Sequence, residues 1–585
     1  MITTANILNL FDRTIRYGTL HLNADSDGLA RIEDLGPERP AEPYILPGFV
    51  DAHVHIESSL LTPAQFARLA VVHGTVGTVS DPHEIGNVLG ITGVEYMIRD
   101  GKRVPFKFCF GAPSCVPATP FETAGAEITG ADVERLLAMP EIGYLAEVMN
   151  FPGVLHRDPD MMHKIALAHA AGKPVDGHAP GLRGADAQRY IDAGISTDHE
   201  CFTLDEARDK AQRGMHILIR EGSAARNFDA LIPIITEFPA QVMFCSDDKH
   251  PDTLVLGHIN QLVARAVAAG YDRWDVLRAA CLNPVLHYGL PVGLLREGDP
   301  ADFIVVDNLT DFGVQQTVIN GAVVAEAGQT CIPDLRSEWV NKFDCELVSN
   351  ADGWPLPLYS AVINSTLLTT ECNGNGQPSA LLRVIEALDG QLITNELHLA
   401  PTLNETGQPI TDPGRDILKL VVVNRYQSAP PAVAFIKNFG LKHGAIASSV
   451  AHDSHNIIAV GCDDDSLCRA INAVIEARGG LCATGSEELS VKNEDYLIDD
   501  YSSLFTDNSS LLSLPIAGLM TDADGYAVAS AYSAVDRFVK DELGSTLTAP
   551  FMTLSFMALL VIPALKLSDR GLFNGQQFIF SPLTV

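Results

Sequence analysis

Between residues 46 and 290 the sequence alternates short apolar runs with helix-length segments, for example 158–171 and 254–269. Strand-length apolar runs separated by helices are typical of βα units built around a parallel sheet. Eight such units in about 240 residues are the usual size of a (β/α)8 barrel. The pattern predicts strands over 46–55, 74–80, 106–110, 143–146, 174–176, 195–197, 216–219 and 241–245. We therefore predict an α/β fold with a (β/α)8 barrel over residues 46–290.

The remaining chain divides into three segments. Residues 1–45 contain short strand-like runs that cannot close a core alone, and residues 291–334 contain a strand and a hairpin with an Asn-Gly turn. We expect these two segments to form one small composite β domain. Residues 335–585 predict an additional C-terminal α/β domain, with a helix over 465–477 and turns at Asn375-Gly376 and Gly407.

The charge of the chain argues against nucleic acid as a partner. Its 40 basic and 73 acidic residues give a formal net charge of −33, and such a surface repels phosphate backbones. Adaptation to salt and plain solubility are both compatible with this charge.

The sequence also predicts a cytoplasmic protein that does not bind a membrane. Residues 543–565 lack charged side chains, but their Gly, Pro, Ser and Thr content favours a buried core segment over a membrane span. Eleven cysteines without a Cys-x-x-Cys pair indicate reduced thiols. The first residues lack a basic region and a signal-peptide core.

Histidine, glutamate and aspartate, the residue types that commonly bind metal ions, recur where the predicted strands end. Catalytic groups lie at these strand ends in this type of barrel. His53 and His55 are two apart and project to the same side of one strand. Alone, they could equally be two half-exposed histidines. The full set of ligand-type residues is His53, His55, Glu147, His178, His199 and Asp247. Four imidazoles and two carboxylates suit two divalent transition ions, with a carboxylate bridging them. Such ions lower the pKa of bound water to about 7.

Several motifs resemble the amidohydrolase superfamily and, within it, the bacterial adenine deaminases. The resemblance covers nearly the whole chain. The matching pieces are 47–59 (PGFVDAHVHIESS), 81–84 (DPHE), 112–117 (APSCVP), 147–150 (EVMN), 177–179 (GHA), 196–200 (STDHE), 246–248 (SDD) and 452–456 (HDSHN).

The resemblance implies a metal-dependent hydrolase with two divalent ions, Mn²⁺ or Fe²⁺, with Zn²⁺ possible. His53, His55 and Asp247 would hold one ion, His178 and His199 the other, and Glu147 would bridge them. Many cyclic-amide hydrolases of this superfamily bridge with a carboxylated lysine on strand four, but the predicted strand here contains no lysine. We also expect a homo-oligomer, namely a dimer.

The activity implied is hydrolytic deamination of adenine to hypoxanthine and ammonia, with attack of water at C6. Asp247 would then move a proton to the leaving amine. Glu84 is our first candidate for protonating N1, with Glu221 second. His83 would orient substrate or hydroxide or else stabilise a loop, and Ser114 would bond the purine edge or else a turn.

Other functions stay open at this stage. The enzyme could deaminate another purine such as N6-methyladenine, or hydrolyse a cyclic amide, or the barrel could be a non-catalytic scaffold. His452 and His455 lie either near the substrate, if the C-terminal region folds over the barrel, or in purely structural bonds.

Overall fold

The computed structural model describes residues 2–23, 28–349, 381–485, 505–506 and 509–585. The predicted turn at Asn375-Gly376 lies outside these ranges. The chain begins with four strands, β1 (Ile2–Asn9), β2 (Thr14–Leu22), β3 (Leu29–Pro37) and β4 (Tyr44–Pro47).

The next eight strands are parallel and form the barrel. They are β5 (Phe49–Val54), β6 (Thr75–Ser80), β7 (Lys107–Ala112), β8 (Ile142–Val148), β9 (Val175–Gly177), β10 (Thr197–Asp198), β11 (His216–Arg220) and β12 (Val242–Cys245). Strands β5 to β9 pair in chain order, and so do β10 to β12. Backbone bonds from Ser196 N–H to Val175 O (2.9 Å) and from Asp247 N–H to His53 O (2.9 Å) join the two sheets. The predicted α/β class and parallel barrel strands are confirmed.

Helices follow or connect these strands. They are α1 (Pro63–Ala70), α2 (His83–Leu89), α3 (Ile91–Gly101), α4 (Gly130–Leu137), α5 (Phe151–Leu155), α6 (Pro159–Ala170), α7 (Gly184–Asp192), α8 (Leu204–Gln212), α9 (Phe228–Leu231), α10 (Pro251–Leu254), α11 (Ile259–Ala268), α12 (Arg273–Leu277) and α13 (Asn283–Tyr288). The helix predicted over 254–269 is wrong at its start. The non-helical backbone of His258, with φ −131° and ψ −133°, separates α10 from α11.

Four strands after the barrel, β13 (Phe303–Val306), β14 (Val314–Ile319), β15 (Ala322–Glu326) and β16 (Gln329–Thr330), join the N-terminal strands in one sheet. Its order is β16-β15-β14-β13-β4-β1-β2-β3. Only Gly48 separates β4 from the first barrel strand. A Cβ atom at Gly48 would lie 2.2 Å from Cγ1 of Val76, so the close crossing of these strands requires glycine.

In the described part of the C-terminal region, the chain forms a nine-stranded sheet and three α-helices. The strands of the region are β17 (Leu382–Ala387), β18 (Thr394–Leu399), β19 (Thr402–Leu403), β20 (Pro409–Ile410), β21 (Ile417–Val423), β22 (Ala432–Lys437), β23 (Ala445–Ser448), β24 (Ile457–Gly461), β25 (Gly480–Thr484), β26 (Phe505–Thr506), β27 (Ser509–Ser513), β28 (Leu565–Ser568), β29 (Gly571–Asn574) and β30 (Ile579–Phe580). The helices are α14 (Asp464–Glu476), α15 (Gly525–Asp541) and α16 (Pro550–Phe556).

The apolar stretch near the C-terminus packs inside the protein. Every residue of α16 is buried, and Leu559, Leu560 and Ile562 beyond it belong to the buried core. Among the described residues, no helix is both long and apolar enough to cross a membrane. The hydrophobicity of this segment is therefore accounted for by packing.

Candidate active site

The six predicted metal ligands converge at the carboxyl ends of five barrel strands, and all six are buried. One group is formed by His53, His55 and Asp247. Nε2 of His55 lies 3.2 Å from Nε2 of His53 and 3.2 Å from Oδ1 of Asp247, and Nε2 of His53 lies 3.7 Å from the same oxygen.

A second group is formed by Glu147, His178 and His199. Oε2 of Glu147 lies 2.7 Å from Nδ1 of His178 and 3.2 Å from Nε2 of His199. Its other oxygen, Oε1, lies 3.4 Å from Nε2 of His55 in the first group. Glu147 is thus the carboxylate that reaches both groups, as a bridging ligand would. It lies inside β8, which extends two residues past the predicted strand.

These donor atoms fit divalent metal ions. His53, His55 and Asp247 present one ligand atom each within 4.8 Å of one another, and so do His53, Glu147 and His199. Imidazole nitrogen with carboxylate oxygen is a donor set suited to Zn, Mn and Fe. Nδ1 of His55 lies 3.2 Å from the carbonyl oxygen of Asp81, a contact that directs Nε2 towards the ligand cluster.

Lys210 fixes the two loops that carry the second group of ligands. Its buried ammonium donates to the carbonyl of Ala179 (2.7 Å), next to His178, and to the carboxylates of Asp198 (2.9 Å), next to His199, and Glu206 (2.9 Å). This one cation therefore holds both loops in place.

Arg220, at the end of β11, contacts the first group. Its Nη1 donates to Oδ2 of Asp247 at 2.8 Å and also to Glu200, whose second oxygen accepts from Nη2 at 3.2 Å. Burial alone would raise the pKa of Asp247, but the guanidinium and His55 outweigh it and hold that pKa well below its usual range. Asp247 therefore presents Oδ1 to the histidines while Oδ2 is held from behind.

Glu84 lies on the other side of the cavity, at the start of α2, with histidines from two parts of the chain around it. Its Oε1 lies 3.3 Å from Nε2 of His83 and 3.2 Å from Nε2 of His452, and Oε2 bonds Nε2 of His455. Nδ1 of His83 in turn lies 3.4 Å from Oε1 of Glu147. His83 thus stands between Glu84 and the metal-ligand cluster.

The C-terminal region reaches into the barrel mouth. The cavity at the ligand cluster is lined on that side by Leu392, His452, Asp453, Phe556 and Leu559. His452 Nδ1 lies 2.6 Å from the hydroxyl of Ser555, which anchors the ring. His452 lines the cavity, whereas His455 contacts Glu84 and does not line it.

Two predicted substrate contacts are engaged elsewhere. Ser114 donates its hydroxyl to the carbonyl of Glu147, so it holds strand β8 and does not point at the cavity. Glu221 accepts from Nη1 of Arg265 at 2.8 Å, and neither Ser114 nor Glu221 is among the residues that line the cavity.

Four polar residues at the site carry no predicted role, namely Glu200, Arg220, Asp248 and Asp453. Glu200, Asp248 and Asp453 belong to the quoted motifs, so their positions in the sequence signalled them. Arg220 directly follows the seventh predicted strand, 216–219, and this place at a strand end is what could have identified it from the sequence.

Comparison with known families agrees with this geometry. Residues 44–324 match the amidohydrolase family, and residues 391–493 and 505–579 match the adenine deaminase C-terminal domain. The fold and the buried ligand cluster are thus those of a hydrolase of the amidohydrolase class, whose members depend on divalent metal ions.

Relatives that match over nearly their whole length identify the family within this class. The chain is 54% identical to an adenine deaminase of Salinibacter ruber over 98% of this chain and 97% of the relative. It is 52% identical to one of Sulfurovum sp. over 98% of both chains, and 49% identical to one of Methanosarcina mazei over 96% of both. The chain belongs to the adenine deaminase family.

Proposed function

We propose that this enzyme hydrolyses adenine to hypoxanthine and ammonia. The observation that carries the proposal is the likeness to adenine deaminases over 98% of the chain, including the C-terminal region that lines the cavity. Deamination of another purine, hydrolysis of a cyclic amide and a non-catalytic scaffold are not favoured by these relatives.

The metal site is proposed to hold two ions, manganese or iron, with zinc as the alternative. His53, His55 and Asp247 would hold one and His178 and His199 the other, with Glu147 between them. When bound, such ions supply a water of lowered pKa and polarise it for attack. In support, Glu147 contacts ligands of both groups.

The chain's own carboxylates then move the protons. Water forms the new C–O bond at C6, Asp247 takes its proton, and the same carboxylate returns it to the amino group, which leaves as ammonia. Glu84 protonates N1 so that the ring accepts the electron pair of the attacking oxygen, and it regains a proton from the hydroxyl on C6 as the C6–N bond breaks and the carbonyl of hypoxanthine forms. General acid–base groups of this kind contribute about 10²–10⁴-fold to the rate.

The role of His83 follows from its position. Its two ring nitrogens face Glu147 and Glu84 at 3.4 and 3.3 Å, so it orients the reacting groups between the metal ligands and the acid. We assign the N1 role to Glu84 because Glu221 pairs with Arg265 and does not line the cavity.

The test is ammonia release from a panel of purines by enzyme loaded with manganese or iron. We expect adenine to give the highest kcat/KM, with two ions per chain by elemental analysis. If N6-methyladenine or a cyclic amide were preferred, or if active enzyme held a single ion, the proposal would fail.

We further propose the domain limits 1–45 with 291–334, 46–290 and 335–585, a cytoplasmic location and a dimer that binds neither nucleic acid nor membrane. The cysteines in the described part of the chain are free thiols, which supports a reducing compartment. Light scattering of the purified enzyme would test the dimer.

A further inference from the structure

One carboxylate in the cavity is left without a complete set of partners. Asp453 lines the cavity and is 3% exposed, and its Oδ2 is buried without a hydrogen-bond partner among the residues that the structure describes. Its Oδ1 lies 3.8 Å from Nε2 of His83, beyond hydrogen-bond distance.

The neighbouring carboxylates of the cavity are engaged on the protein side. Glu84 faces imidazoles with both oxygens, Asp248 accepts from the hydroxyl of Ser58, and Glu200 accepts from Arg220 with both oxygens. A buried acceptor without a donor is costly, and native proteins supply most of these groups with a donor from the protein, a ligand or water. Because Asp453 lines the cavity, its free oxygen is placed to accept from a bound ligand that carries an N–H or O–H group.

We propose that Asp453 accepts a hydrogen bond from the ring N–H of the five-membered ring of a free purine base. This inference rests on the proposed deamination of adenine. In that reaction the amino group and N1 are attended by Asp247 and Glu84. The remaining N–H of neutral adenine is on the five-membered ring, at N9 or N7, and a carboxylate is an acceptor only.

The surroundings of Asp453 suit a flat aromatic base. Leu392, Phe556 and Leu559 line the same part of the cavity, and apolar walls with a few polar groups are usual for small-molecule sites. The ring of Phe556 lies beside that of His452, with centroids 5.0 Å apart. These side chains offer apolar surface to the base, while Asp453 determines which edge it presents.

The consequence is selection for the free base over bases substituted on that nitrogen. A nucleoside carries its sugar on N9 and has no N–H on the five-membered ring. Sites that hydrogen-bond a substrate N–H reject analogues that lack it by about 10⁴–10⁵-fold, because the buried acceptor is left unpaired.

The experiment compares adenine, 9-methyladenine and 7-methyladenine in the parent enzyme and in Asp453→Ala and Asp453→Asn. In the parent enzyme we expect both methylated bases, neither of which has an N–H on the five-membered ring, to lose about 10⁴-fold in kcat/KM. Asp453→Ala should lower kcat/KM for adenine, mainly through KM, and should leave the values for the methylated bases nearly unchanged. Asp453→Asn retains one acceptor oxygen, so its kcat/KM for adenine should lie between those of the parent enzyme and Asp453→Ala.

Matched measurements separate this role from others. Glu122 is a buried carboxyl near Asp453 that does not line the cavity, so Glu122→Gln should keep the parent preference among the three bases. Thermal unfolding identifies any variant that has lost its fold, and in that case the conservative Asp453→Asn decides the outcome.

Three results would overturn the proposal. They are an equal fall for adenine and both methylated bases in Asp453→Ala, loss of a metal ion from that variant, and parent enzyme that accepts either methylated base as well as adenine. If the parent enzyme released no ammonia from adenine, the proposed function itself would fail. Calorimetric binding of adenine against its methylated forms would then still test Asp453.

Discussion

Arg220 donates to Oδ2 of Asp247 at 2.8 Å while the opposite oxygen of the same carboxylate faces His53 and His55. The guanidinium is completely buried and also pairs with Glu200. This one cation is therefore shared by two carboxylates, Asp247 and Glu200.

Replacing Arg220 by methionine should be strongly destabilising. Breaking a buried ion pair from one side typically costs about 3–5 kcal/mol, since the remaining charge stays buried. Chemical unfolding measures this loss. Arg208→Met is the matched control, because the pair of Arg208 with Glu237 is partly exposed, and exposed pairs contribute about 0–1 kcal/mol. Equal losses for the two variants would contradict the assignment.

Asp247 and Glu84 should give different variants. Asp247→Asn keeps an oxygen ligand but cannot carry a proton, and Glu84→Gln cannot protonate N1. Turnover of adenine should fall by about 10²–10⁴-fold in each. Elemental analysis should find unchanged metal in Glu84→Gln, because Glu84 faces histidines across the cavity from the ligands. Glu221→Gln serves as control, because Glu221 pairs with Arg265 and does not line the cavity, and near-normal activity of Glu84→Gln would show that Glu84 does not protonate N1.

Loss of Lys210 should weaken metal binding. Lys210→Met releases the loops beside His178 and His199, and removing residues that orient metal ligands typically costs about 10–100-fold in affinity. Titration with a chelator measures this directly. Lys173→Met is matched, since Lys173 bonds the carbonyls of Leu137, Met139 and Ile142, none of which adjoins a ligand. Metal affinity unchanged in Lys210→Met would show that the loops hold without it.

Lys566 makes the free energy of unfolding depend on pH. Burial lowers its pKa from 10.5 to about 7, and its ammonium donates to the carbonyls of Leu392 and Phe556. Between pH 7 and 10.5 the unfolded chain binds a proton that the folded protein does not, so this residue makes stability rise with pH over that window, by up to about 1.4 kcal/mol per pH unit.

The measurement is the free energy of unfolding against pH for the parent enzyme and for Lys566→Met. The difference between the two should change in favour of the parent enzyme from pH 7 towards 10. A difference that stays flat over this range would mean that Lys566 keeps its usual pKa in the folded protein.

The strand pattern predicted the barrel and the convergence of six ligand-type side chains, because parallel strands bring their carboxyl ends to one face. The pattern could not show which of Arg220 and Glu221 points towards the metal-ligand cluster. Adjacent strand residues point to opposite sides, and the boundary of one residue decides which is inside. In the structure Arg220 contacts Asp247 and Glu200, which both line the cavity, and Glu221 accepts from Arg265.

Contacts between residues far apart in the chain could not be predicted from local sequence patterns either. Glu84 bonds His455, 371 residues away, and a pattern of periods 2 and 3.6 carries no information on such pairs. The motif at 452–456 drew attention to these residues. The orphaned oxygen of Asp453 became visible only once the cavity was assembled.

The sheet shared by the two ends of the barrel determines which contacts can form while the protein is still being synthesised. Strand β4, one residue before the barrel, pairs with β1 on one side and β13 on the other, so its hydrogen bonds to β13 wait until residue 306 has left the ribosome. Asp247 must emerge before the first ligand group is complete, and His455 before Glu84 has its imidazole partner. A nascent chain that ends before Asp247 therefore holds only part of the ligand set, and an ion captured at that stage would meet incomplete coordination. Correct loading with metal has to follow synthesis of Asp247, the last of the six ligands.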